Sequence, residues 1–380
     1  MSDDKKSKKP ELTEHEQLAK LKDKYELAKE YYARDQRRMR MLEMTDNGDM
    51  WRAIGSDFPA YQILPDTNFV SYVKDNILAS LYTTAKSAEI IPTSEDDREL
   101  CTKLNLVLNN FWSTQNVGYK QFQAGERAAL LNLGITQVGW NEHEYSGKGD
   151  YAHKGQVVIR NINPMNFMRD PFSSCLEEAS WCCTYERLHK SVILADERYR
   201  DKFKEWLKKG DGIGENEVFP NYGSTRENAA QLDHYNLFRW WVKTPDGIDE
   251  IHTVSHDVIL YKKENIKPSV FPFAELYCNS PSSGLVGISG PAKIFANGVA
   301  YNLMNSLALT AEYKQQRPPK FVSAQSGLNI AAFTRYGSEA DRTFVVNQDA
   351  ERAVHYHQFP PISANINNVM QGLQFDIQNV

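Results

Sequence analysis

No charged side chain stands between Ile294 and Ala311, and this gap constrains the fold more than any other feature of the chain. Ser289 or Gly290 can cap a helix there, and Pro291 suits its first turn. The helical pattern runs to Gln316, where Pro318-Pro319 forbids continuation. Ala296, Ala300, Leu303, Met304, Leu307 and Ala311 fall on one face, and the rest is small or uncharged polar. An ordinary surface helix carries charges on its outer side. This one is expected to be contacted on several sides, either by copies of itself in a closed ring or as the central core helix of one large domain. Asn297, Asn302, Asn305, Ser306 and Thr310 interrupt it, and asparagine is costly in hydrocarbon. A membrane span is therefore not expected.

Upstream, the sequence predicts helices first and strands later. Leu18, Leu21, Tyr25, Ala28 and Tyr32 recur at helical spacing and end among Arg37, Arg38 and Arg40, before Asp46-Asn47-Gly48 breaks the helix. A second helix is expected from Thr67 to Thr84, with Phe69, Val70, Val73, Ile77, Leu78 and Leu81 buried. A short strand should follow at Ala88–Pro92, then helices at Glu95–Trp112 and Tyr119–Leu133, the latter stopped by Gly134. Strands are expected at Ile135–Trp140, Gln156–Asn161, Trp181–Tyr185, Leu232–Lys243, Asp249–Ser255 and Val258–Lys262. Turns belong at Asn163-Pro164, Arg169-Asp170-Pro171 and Thr244-Pro245-Asp246-Gly247. His189–Lys209 reads as a helix and 209–230 as a Gly/Asn/Glu-rich loop. After Pro319, short strands are expected at Lys320–Ser323 and Thr343–Asn347, around a small helix or loop near Ile330. Ser363 then opens a helix with Ile366, Val369, Met370, Leu373, Ile377 and Val380 on one stripe. The stripe reaches Val380 without a glycine or proline stop, which predicts a natural protein that continues further.

Composition narrows the function classes. At 380 residues the chain exceeds one compact core. With 44 basic and 49 acidic side chains it carries a net charge of −5, against tight DNA binding by phosphate neutralisation. Cys101, Cys175, Cys182, Cys183 and Cys278 form no CxxC pair, and with no apolar leader they are expected to be free thiols. His252 and His256 sit in a strand-like run, where a spacing of four does not bring the rings together. His355 and His357 share one strand face, but no third metal ligand is placed beside them. Gly147-Lys148 lacks the upstream glycine of a phosphate loop and has Gly149 where Ser or Thr is needed. No GxSxG, HExxH or GxGxxG motif occurs. No enzyme activity, cofactor or metal is expected.

The order of these pieces resembles the portal proteins of tailed bacteriophages, nearer the podovirus-like kind, from about residue 15 onward. The resemblance rests on the N-terminal helix ending in basic residues, the Asn68–Leu81 helix, the strand reaching Pro92 and the helix ending at Trp112. It continues through Gly134…Val138-Gly139-Trp140, Asn163-Pro164 to Asp170-Pro171, Phe271-Pro272-Phe273 and the Gly287-Ile288-Ser289-Gly290-Pro291 helix start. It implies an α+β portal fold: a flexible basic tail (1–14), a helical then β-rich wing (15–285), a first stem helix (286–316), a small α/β clip (317–361) and the start of a second stem helix (362–380). It further implies a homo-oligomeric ring, of twelve copies in the expected case, at the unique capsid vertex of the virion, assembled in the host cytoplasm. Such a ring conducts double-stranded DNA without sequence readout during packaging and ejection. It docks the terminase large subunit and later tail adaptors at the clip, and meets the major capsid and scaffolding proteins. On this resemblance Lys293 and Lys314 are the expected DNA-channel residues. Arg317, Lys320, Arg335 and Arg342 are the clip residues facing terminase, and Asn297, Asn302, Asn305 and Ser306 pack stem helices of neighbouring copies. Another virion protein, such as a head-completion protein, or an enzyme with a dispersed site are the competing readings.

Overall fold

A computed structural model describes residues 13–55, 57–82, 88–146, 153–208, 233–267, 270–281, 284–317, 320–323, 325–336, 343–347, 349–356 and 365–378. The chain is a mixed α+β protein. It divides into two compact units, one of residues 1–43 and 70–293, the other of 44–69 and 294–380. Residues 44–69, expected within the wing, thus group with the segment that follows residue 293. Among the described residues no helix is long and apolar enough to cross a membrane.

Helix α1 (Glu14–Asp46) opens on Thr13, whose backbone N–H donates to Glu16 at 3.1 Å while Thr13 Oγ1 accepts from Glu16 N–H at 3.4 Å. This reciprocal pair is a capping box. The helix runs past the arginines to Asp46, because Met39 and Leu42 extend the buried stripe of Leu21, Tyr25, Ala28 and Tyr32. Helices α2 (Met50–Ile54), α3 (Phe69–Leu81), α4 (Arg98–Thr114) and α5 (Val117–Leu131) follow. Val70 and Leu78 of α3 are buried, whereas Leu81 is exposed. Residues 83–87 lie outside the described set.

The expected strand at Ala88–Pro92 does not form. Ile90 N–H donates to Asn105 Oδ1 at 2.8 Å and Ile90 C=O accepts from Asn105 Nδ2 at 3.0 Å. A side-chain amide on α4 satisfies both backbone groups, so no second strand is required. Nor does Gly134 stop α5. Asn132 does so in the left-handed region (φ 68°), its N–H donating to Ala128 C=O.

The strands of the first unit make two antiparallel sheets. In one, β1 (Gly134–Ser146) lies between β2 (His153–Ile162) and β8 (Phe273–Leu276). The other runs β3 (Phe167–Arg169), β4 (Trp181–His189), β5 (His234–Thr244), β6 (Gly247–Val254) and β7 (Val258–Ile266) in sequence order. Thr244 pairs with Gly247 across the expected Pro245-Asp246 turn. The expected helix at His189–Lys209 is two, α6 (Lys190–Ala195) and α7 (Glu197–Lys208), separated at Asp196. Tyr199, Phe203 and Trp206 of α7 pack with Tyr235, Leu237, Val254 and Leu260 on one face of the five-stranded sheet. Tyr25 of α1 meets Phe238 on the opposite face, with ring centres 5.2 Å apart.

Arg169 ties these layers together. From β3 its Nη1 donates to Glu275 of β8 at 2.8 Å, and its Nη2 to Ser174 C=O at 3.1 Å. Tyr277 donates to the same carboxylate at 2.9 Å, and Tyr32 of α1 bonds the guanidinium. Burial works against the charge on Arg169, but Glu275, Tyr277 and Tyr32 outweigh it and hold the guanidinium protonated.

Of the two histidines expected in one strand-like run, His252 is buried in β6 and His256 is half-buried after it. His252 Nδ1 lies 2.7 Å from the Tyr199 hydroxyl and Nε2 3.0 Å from Glu250. His256 stands in the left-handed turn after β6 (φ 59°), its ring 3.9 Å from Phe238 and 4.6 Å from Tyr25. Among the described residues neither of its buried nitrogens has a hydrogen-bond partner. Burial, with Lys22 and Lys29 of α1 nearby, pushes its pKa down from 6.5 to about 4. Between those values the unfolded chain binds more protons than the folded one, so stability falls as pH drops from 6.5 towards 4. His256→Phe keeps the ring stack and removes that proton. Urea titrations at pH 7 and pH 5 should show wild type losing about 2 kcal/mol more than H256F over this interval. Equal losses would place the acid sensitivity elsewhere.

In the second unit, α8 (Gly290–Gln316) is followed by β9 (Lys320–Val322), α9 (Ile330–Tyr336), α10 (Ala350–Ala353), β10 (Val354–Tyr356) and α11 (Asn365–Gln378). The first residues of α8, up to Lys293, count with the first unit. β9 pairs with β10, not with the expected strand at Thr343–Asn347. That stretch is non-regular: Asn347 N–H donates to Ser326 C=O, and Phe344 packs on Phe333 of α9. The expected lysine-rich start, the 209–230 loop, Pro360-Pro361, the Ser363 start and Val380 lie outside the described residues.

Candidate assembly surface

Helix α8 begins as its sequence dictates, with Ser289 Oγ accepting from Ala292 N–H at 3.1 Å. Its burial then inverts the hydrophobic pattern. The buried stripe is Ile294, Gly298, Asn302, Ser306 and Thr310 at strict spacings of four, one face of a helix. The cause is the segment it packs against in the second unit. Residues 57–68 contain Pro59 and Pro65 and form no helix or strand, so their backbone groups need partners.

Three side chains supply them. Asn302 accepts from Thr67 N–H at 2.9 Å and donates to Thr67 C=O at 3.0 Å. Ser306 donates to Ile63 C=O at 2.6 Å and accepts from Gln62 Nε2 at 2.9 Å. Thr310 accepts from Ile63 N–H at 3.0 Å. One turn further, the Lys314 ammonium stands 4.1 Å from the centre of the Tyr61 ring. Phe69 packs edge-on to Tyr301 and beside Gly298, where an added β-carbon would meet it at ordinary contact distance.

The apolar side chains are consequently left outside. Leu303 is 38% exposed, Leu307 48%, Leu309 40% and Tyr313 45%, on a helix still free of charge from Ile294 to Ala311. In the first unit, α4 likewise buries only Cys101 and exposes Leu100, Leu104 and Val107 on one stripe. Monomers rarely leave such stripes in water, and contiguous ones mark interaction sites.

The expected site residues are placed as follows. Asn302 and Ser306, expected to pack stem helices of neighbouring copies, are fully buried in the single chain, where their polar groups bond residues 62–67. Asn297 and Asn305 are half-buried. Lys293 is exposed, whereas Lys314 is half-buried under its contact with Tyr61. Arg317 is exposed, and its Nη1 donates to the Tyr313 hydroxyl at 3.3 Å. Arg335 ends α9 on the surface. Lys320 lies in β9, but its side chain, like all of Arg342 and His357, lies outside the described residues. The polar ladder itself was missed from sequence, although hydrogen-bonding residues at spacings of four opposite a proline-flanked segment are a usable signal. A comparison of the chain with models of protein families and with curated proteins found no match.

Proposed function

We propose that this chain is the subunit of a portal-type ring, a homo-oligomeric channel for double-stranded DNA at a phage capsid vertex. The observation that carries the reading is the inversion on α8. Asn302, Ser306 and Thr310 are consumed inside the chain, and Leu303 and Leu307 on one flank of that stripe, with Leu309 and Tyr313 on the other, face out. In a closed ring each copy offers one face to the next, and the buried centre of such interfaces is depleted of charge. Exposed Lys293 and Arg317 stand at the two ends of α8, as phosphate contacts that do not read sequence require. Terminase, adaptor, capsid and scaffolding partners follow from the same reading.

Negative-stain electron microscopy with native mass determination on the complete protein tests it. Rings with a central channel are expected from wild type. The double substitution Leu303→Glu and Leu307→Glu should leave the secondary structure unchanged and reduce the ring fraction at least tenfold. A wild-type protein that stays monomeric at all concentrations, or rings indifferent to both charges, would overturn the proposal.

A further inference from the structure

We propose that His189 and His234 form a chelating site for a divalent late transition metal ion such as Zn2+, on the first unit and independent of any ring. The two residues are register partners at the end of the β4–β5 ladder. The next pair, Lys190 and Asp233, is joined by the Lys190 N–H to Asp233 C=O bond at 2.8 Å. His189 and His234 therefore occupy the adjacent non-hydrogen-bonded position, where opposite side chains come closest. His189 is exposed and His234 half-buried, so the pair opens to solvent.

The ring geometry fits a shared ion. The ring centres are 5.2 Å apart at an interplanar angle of 74°. An imidazole nitrogen sits about 1.2 Å from its ring centre and about 2.0 Å from bound zinc, so each centre lies about 3.2 Å from the metal. Two such arms at a tetrahedral angle hold their ring centres about 5.2 Å apart. His189 Nδ1 lies 2.7 Å from Ser191 Oγ and 3.2 Å from Ser191 N–H. Nδ1 accepts from the Ser191 N–H, so the neutral ring carries its proton on Nε2; a metal ion at Nε2 requires that proton to move to Nδ1, where Ser191 Oγ can accept it. Lys190 and Asp233, the flanking residues, carry opposite charges and cancel. Water completes the coordination, which makes this a site for imidazole-preferring ions and not for magnesium or calcium.

Isothermal titration of the full-length protein with ZnCl2 at neutral pH, with MgCl2 as control, tests the assignment. One zinc per chain is expected, with affinity lowered at least tenfold in H189Q and, separately, in H234Q. Zinc should raise the melting temperature of wild type and neither variant, since only a folded chain brings the two strands together. Zinc binding equal in wild type and H234Q, or no saturable binding to wild type, would overturn the proposal. H234Q retains the Ser191 contacts of His189, so its result does not depend on the start of α6.

Discussion

Arg169→Met is expected to destabilise the first unit by about 3–5 kcal/mol, enough to remove much of a domain's net stability. The guanidinium is fully buried and its partners come from three places: Glu275 on β8, Ser174 C=O in the loop after β3, and Tyr32 on α1. Methionine fills comparable space but returns none of these bonds. It leaves the Glu275 carboxylate, already pushed upward by burial, with only the Tyr277 hydroxyl as donor among the bonds described. Most of the cost is that orphaned charge and not the lost attraction, because desolvation cancels much of what a buried pair gains. The double variant Arg169→Met with Glu275→Gln should therefore recover part of the loss. Urea unfolding followed by tryptophan fluorescence suits the measurement, since Trp181, Trp240 and Trp241 line the affected sheet. A single variant within 1 kcal/mol of wild type would show that Arg169 is a passenger in the core.

How much of this was legible in the sequence depends on whether a residue's partner is near in the chain or far. Strands β5 to β7 could be read from alternation and from the Pro245-Asp246 turn, because hairpin partners lie next to one another in sequence. The capping Ser289 was legible for the same reason. What escaped were backbone groups satisfied by side-chain amides instead of by a partner strand. Ile90 reads as strand, yet its partner is the Asn105 side chain; Thr67 is matched by Asn302, more than two hundred residues away. At α8 the same blindness reversed the buried face. Hydrophobicity alone puts Leu303 and Leu307 inward, and only the unmet hydrogen bonds of residues 62–67 explain why Asn302 and Ser306 displace them. The exposed leucines of α8 are therefore a consequence of a polar requirement elsewhere, which hydrophobic periodicity does not encode.

Asn132→Ala is expected to cost about 3–5 kcal/mol, and its effect should reach the entry to α8. Asn132 is fully buried at the end of α5, and one side chain holds the loop that precedes Ser289. Its Nδ2 donates to Asn279 C=O at 2.7 Å and to Val286 C=O at 2.6 Å, and its Oδ1 accepts from Asn279 N–H at 2.8 Å. Alanine abandons all three groups and must also adopt φ 68° without the polar side chain that lets asparagine tolerate it, a difference of about 1 kcal/mol. Asn132→Gly separates the two contributions, since glycine accepts the left-handed conformation freely but loses the same bonds. It should recover about 1 kcal/mol relative to alanine and no more. Asn132→Asp should fail by a different route, keeping an acceptor for Asn279 N–H while turning a carboxylate oxygen towards two carbonyls. Hydrogen exchange at Asn279 N–H gives the local readout: in all three variants it should speed up well before the five-stranded sheet opens. If glycine instead restores wild-type stability, the cost lies in backbone conformation, and the loop before α8 is held by its own turns, with Gly284 and Gly287 at positive φ, and not by Asn132.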